Sequence, residues 1–148
     1  MTGVLAWGVK QSLLSYVTSA PGGQLLTTKD VRWEDGAFRF PLADSAPGAD
    51  GESFDVEGVV RFHGHFSMLV AELSGLRITR GDAGWVLSLA DGEDSRVDAF
   101  ALDGEPERSG DGPGRLDWAD VRLTEAGSEG FGGHYPPGTL FDPLAVIF

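Results

Sequence analysis

Cysteine is absent from the 148 residues. That excludes disulfides, thiolate metal sites and cysteine nucleophiles. Positive charge is scarce, with 11 Lys and Arg against 23 Asp and Glu and a formal net charge of −12. Such a balance argues against binding nucleic acid or an anionic membrane surface through bulk electrostatics. No apolar run approaches the ~20 residues of a membrane-spanning helix. No basic-then-apolar leader opens the chain as written, so the expectation from these residues is either a cytoplasmic protein or one whose leader and anchor lie outside this sequence. Histidine occurs three times and tyrosine twice, so each of these groups can be followed individually.

What is present points to one globular domain over residues 1–148. Hydrophobic residues make up 41% of the chain, enough for a core. Glycine is frequent, 22 residues, and the turn signals it forms separate short alternating runs. That pattern is mostly β. The exception comes early, where Val9, Leu13 and Val17 fall at i, i+4 and i+8. This spacing predicts a helix near residues 9–18, stopped by "SAPGG". Ser12 lies one turn before Tyr16 beside that stripe. Asp35-Gly36 marks a hairpin between "VRWE" and "AFRFPL". From Phe54 to Phe62, Phe54, Val56, Gly58, Val60 and Phe62 alternate with Asp55, Glu57, Val59 and Arg61, which predicts one long strand with that first set facing inward. "RLDWADVRL" reads as a continuous strand region and "DGEPERSGDGPG" as a polar loop. Thr124 caps a short predicted helix near 125–131, and "LAVIF" closes the chain as a buried strand. The expected architecture is all-β: two packed antiparallel sheets, a β-sandwich, with a short N-terminal and a short C-terminal helix.

Few residues offer chemistry. Ser12 and Ser15 sit on the predicted helix without a G-x-S-x-G elbow. "GDGPG" lacks the lysine of a phosphate loop. His63 and His65 are two apart and share a strand face with Arg61, and His134 stands alone. An H-x-H pair with a distant histidine has the makings of a metal site on a cupin-like barrel, although so short a motif recurs by chance. Each tyrosine has two readings. A phenol half-buried against a carbonyl is the commonest fate; a phenolate is also a metal ligand.

Three blocks taken together, "LAWGVKQSLLSYVT", "GVVRFHGHFSMLV" and "LTEAGSEGFGGHYPPGTLFDPLAVIF", resemble the HtaA-type haem-transport-associated domain of actinobacteria, from about Leu5 to Phe148. The resemblance implies a haem-binding protein of a haem uptake or handling system, not an enzyme, that holds ferric haem b and passes it on. It implies Tyr16 as the iron ligand, His65 as its hydrogen-bonding support and Tyr135 as a residue of the same pocket. Leu13, Val17, Phe66, Met68 and Phe131 are candidate porphyrin walls, and Ser12, Ser15, Lys10 and Arg61 candidate propionate partners. His63 and His134 are additions to the family pattern, and His134, beside Tyr135, is a candidate sixth ligand. The implied partners are haem and a haem donor or other haem-transport proteins, at the cell surface or secreted. Two other readings stand beside it: a small metal-binding protein using His63, His65 and His134, and an adhesion or scaffold domain without ligand.

Overall fold

A computed structural model describes residues 3–19, 21–28, 30–34, 36–42, 53–64, 69–81, 84–90, 95–109, 114–131, 133 and 135–147. In chain order its elements are β1 (Val4–Trp7), α1 (Gln11–Ser19), β2 (Gln24–Thr27), β3 (Arg32–Glu34), β4 (Ala37–Pro41), β5 (Ser53–Asp55), β6 (Val60–His63), β7 (Leu69–Leu73), β8 (Arg77–Gly81), β9 (Gly84–Ala90), β10 (Arg96–Leu102), β11 (Glu107–Ser109), β12 (Arg115–Trp118), β13 (Val121–Leu123), α2 (Glu125–Gly130), β14 (Leu140–Phe141) and β15 (Leu144–Ile147). The strands form two six-stranded sheets, ordered β11-β12-β15-β1-β4-β3 and β14-β13-β10-β9-β8-β5, and a three-stranded sheet, β2-β6-β7. Neighbouring strands pair antiparallel throughout. The two helices have nine and six residues, so the all-β expectation holds, with a third, smaller sheet beside the two large ones.

One hydrophobic cluster joins the sheets. Period-2 alternation builds it: Leu5, Trp7, Phe38 and Phe40 of the first sheet face inward, and so do Ile78, Leu87, Phe100 and Leu102 of the second. Aromatic pairs bridge the layers. Trp7 meets Phe100 edge-on at 5.1 Å, and Trp85 meets Trp118 at 5.2 Å. Phe38 reaches Phe62 of the third sheet at 6.3 Å. Each such pair contributes ~0.5–1.5 kcal/mol beyond its buried area.

The run from Phe54 to Phe62 departs from expectation in one respect. Phe54, Val56, Val60 and Phe62 are all buried, as the alternation requires. Yet they belong to two strands in different sheets, β5 and β6. The break falls at Gly58, whose φ of 102° is open to glycine and strained for other residues, and where a Cβ would come within 2.4 Å of Val31 Cγ2. Residues 115–123 divide in the same way: β12 pairs with β15 in the first sheet, and β13 with β10 in the second. The loop expected over 103–114 contains β11, paired with β12. β1, which no alternation marked, pairs with both β15 and β4.

Candidate functional site

The site is built where α1 meets the C-terminal segment. Leu13, Leu14 and Val17 are the buried face of α1. That leaves Ser12 and Tyr16, one turn apart, on the outer face, with Tyr16 44% exposed. Hydroxyls cover the end of this face. Thr18 Oγ1 donates to the Leu14 carbonyl at 2.8 Å and Ser19 Oγ to the Ser15 carbonyl at 2.6 Å, the back-bonding habit of Ser and Thr inside helices.

Tyr135 comes from a turn flanked by Gly133 (φ 75°) and Gly138 (φ 88°). Its carbonyl accepts from Ser128 Oγ of α2 at 2.5 Å. α2 is itself docked on β10. The register of β10 against β9 shifts between Asp98 and Phe100, and the Ala99 carbonyl takes the Thr124 backbone N–H at 2.9 Å. Thr124 Oγ1 then accepts from the Gly127 N–H at 3.0 Å, the N-cap the sequence announces. The Tyr135 ring stands edge-on to Phe131 at 5.9 Å and to Phe141 at 5.6 Å. One side of this phenol is therefore core, and the other meets α1.

The two tyrosines, from opposite ends of the chain, share one environment. Burial raises the pKa of Tyr135 above the ordinary phenol value; a hydrogen bond from the Ser12 side chain works against that shift, and the charge of an ionised Tyr16 adds to it. Ser12, Tyr16 and Tyr135 thus lie within electrostatic reach of one another. The donor set is three hydroxyl oxygens, hard ligands suited to a ferric centre or to hydrogen-bonding a carboxylate.

Other expected residues fall elsewhere. Leu13, Val17 and Phe131 are core residues, each at most 1% exposed, so they support α1 and Tyr135 from behind and present no open wall to a ligand. The reason is the i, i+4 stripe itself, which faces the sheets. Arg61 is engaged across the β6–β7 pair with Glu72 at 3.2 Å. Lys10 Nζ donates to the Leu140 carbonyl at 2.9 Å and lies 5.6 Å from the centre of the Phe141 ring, so it serves the fold here. His63 ends β6, where the register against β7 shifts. His65, Phe66, Met68 and His134 lie outside the described residues. Among the described residues no three His, Asp or Glu side chains gather as a metal site. A cleft of about 410 Å3 opens on the outer face of the first sheet, beside Ala6, Arg39, Arg115 and Asp142, and neither tyrosine lines it. Sequence reasoning missed Ser128 and Asp142, which act on the tyrosine-bearing segments through backbone and carboxylate bonds that leave no periodic signal.

The family model for Htaa matches residues 2–147. The chain belongs to the HtaA family. Its fold is shared with solved domains of Corynebacterium glutamicum. The C-terminal domain of HtaA superposes with a TM-score of 0.74 at 21% identity, covering 99% of this chain and 94% of that one. The N-terminal domain of HtaA gives 0.71 at 16% identity, covering 100% and 97%. The heme binding protein HtaB of the same organism gives 0.63 at 16% identity, covering 99% and 92%. No curated protein matches the chain. This HtaA-family domain therefore shares its overall fold with these domains over nearly their whole length.

Proposed function

We propose that this HtaA-family domain binds ferric haem through Tyr16 and releases it to an acceptor, as a carrier and not as an enzyme. The observation that carries the reading is the approach of the partly buried Tyr135 to Ser12 and to the exposed Tyr16, beside membership of the HtaA family and a fold shared with the heme binding protein HtaB.

The residues fit such a cargo. A phenolate is a hard anionic oxygen and favours Fe(III) over Fe(II). Bound iron would stabilise the phenolate, and a donor N–H from His65 would add to that. Tyr135 is suited to a different part. Burial, and repulsion from an ionised Tyr16, keep its proton in place. It then acts as a hydrogen-bond donor to the ligand and does not compete for the metal, while Ser12 offers a second hydroxyl. The partners that follow are haem and the proteins that give and receive it, and the resemblance points to work at the cell surface or after secretion.

The test is a hemin titration of the purified apo-protein followed in the visible spectrum. Parent protein should develop a Soret band with the charge-transfer features of a tyrosinate-bound high-spin ferric haem. Tyr16→Ala should lose that signature while its far-UV circular dichroism stays unchanged. An unaltered spectrum in Tyr16→Ala would reduce Tyr16 to a packing residue. A non-haem metal found by elemental analysis in the protein as purified would favour the histidine reading instead.

A further inference from the structure

The helix carrying Tyr16 begins under unusual conditions. Val9, just ahead of it, is fully buried and has φ 64°, a left-handed conformation that costs a β-branched residue ~1–2 kcal/mol. At the capping position stands Lys10, whose carbonyl accepts from the Leu13 and Leu14 N–H groups and whose side chain offers no acceptor to the helix. The first turn of α1 contains no acidic residue. By its own sequence the helix is thus strained at entry, uncapped and without a negative charge at its positive end.

The C-terminal segment holds this entry in place. The Asp142 N–H donates to the Val9 carbonyl at 2.8 Å, holding the strained residue. The Asp142 carbonyl accepts from Trp7 Nε1 at 2.8 Å. Its carboxylate Oδ2 accepts from Gln11 Nε2 at 3.1 Å and lies so close to Gly8 that a Cβ there would be 2.9 Å from it. Lys10 Nζ adds its bond to the Leu140 carbonyl. The same segment carries Phe141, against which the Tyr135 ring packs. Both tyrosines therefore refer to residues 140–142, one through α1 and one through Phe141.

We propose that Asp142 is a positioning residue: an anchor from the far end of the chain that holds the start of α1 through Val9 and Gln11 and so sets Tyr16 and Ser12 against Tyr135. Its importance for ligand retention rests on the haem reading above; its role as an anchor does not. Asp142→Ala removes the carboxylate, and Asp142→Asn keeps an acceptor for Gln11 while removing the charge. In the apo-protein, Asp142→Ala should speed amide hydrogen exchange at Leu13 and Leu14 by about two- to fivefold, with Asp142→Asn in between, and should weaken the proton–proton NMR contact between Ser12 and Tyr135. Unchanged exchange and an unchanged contact in Asp142→Ala would overturn the anchor. In the hemin-loaded protein, Asp142→Ala should accelerate haem loss to apomyoglobin by a similar factor in the parent background and not in the Tyr16→Phe background, because the anchor acts through Tyr16. Equal acceleration in both backgrounds would show general loosening and overturn the positioning role. If the parent takes up no hemin, the haem reading falls, while the exchange and NMR measurements still decide the anchor.

Discussion

Gly127→Ala probes how the Tyr135 segment is held. In an exposed helix this change ordinarily stabilises by about 0.4–1 kcal/mol, because alanine loses less backbone entropy on folding. Here the helix is pressed onto β10. A Cβ at residue 127 would lie 2.2 Å from the Ala99 carbonyl oxygen and 2.7 Å from Leu123 Cδ1, far inside the ~3.5 Å of ordinary contact. The nearest atom is backbone and cannot swing aside, so α2 must retreat. The Thr124 bonds to Ala99 and the Ser128 bond to the Tyr135 carbonyl stretch with it. Overpacking of this kind costs about 1–3 kcal/mol, which for a domain of this size lowers Tm by roughly 3–10 °C. Gly130→Ala is the internal control. It lies in the same helix with nothing within 4 Å of the added methyl, so it should be neutral or slightly stabilising. Urea unfolding of the three proteins at equal m-value decides the matter. If Gly127→Ala is as stable as Gly130→Ala, α2 is not seated on Ala99 as described, and the support of Tyr135 by Ser128 goes with it.

The raised pKa of Tyr135 makes folding stability depend on pH in a definite direction. The folded state holds the proton more tightly than the unfolded chain, so this contribution is fully present below the ordinary phenol pKa of ~10 and is lost as pH rises through the higher folded value. Tyr135→Phe should accordingly flatten the loss of stability above about pH 10, measured by urea midpoints at stepped pH. Gly58→Ala combines strain at φ 102° with a clash on Val31; it should destabilise by more than ~2 kcal/mol, read by thermal melting. Arg61→Gln breaks an exposed pair with Glu72 and should shift stability by under ~1 kcal/mol in the same assay. His65→Ala should retain the ferric tyrosinate spectrum of hemin-loaded protein yet release haem to apomyoglobin about tenfold faster, the measure of a lost hydrogen bond to a charged acceptor.

Much of this domain is legible in one dimension because burial follows local periods. The i, i+4 spacing of Leu13 and Val17 determined which face of α1 is buried, and hence that Ser12 and Tyr16 point outward; Val9, expected on the same stripe, is buried but lies ahead of the helix in a left-handed conformation. The alternation from Phe54 to Phe62 determined four core residues, and Thr124 announced α2 through a cap that needs only its own next three residues. Where a strand ends and which sheet receives it are not local properties. The breaks at Gly58 and between Trp118 and Val121 are set by what lies across the fold, Val31 in one case and the separate partners β15 and β10 in the other. For the same reason the site itself belongs to the tertiary structure. The resemblance to the HtaA family singled out Tyr16 and Tyr135, but only the closing of the two chain ends through β1 and β15 brings them together. Asp142, which no motif marks, gains its meaning there too. A carboxylate meets a helix start from afar only once folding has placed it, and that placement rests on the long-range bond from the Asp142 N–H to the Val9 carbonyl and on Trp7 Nε1, which donates to the Asp142 carbonyl.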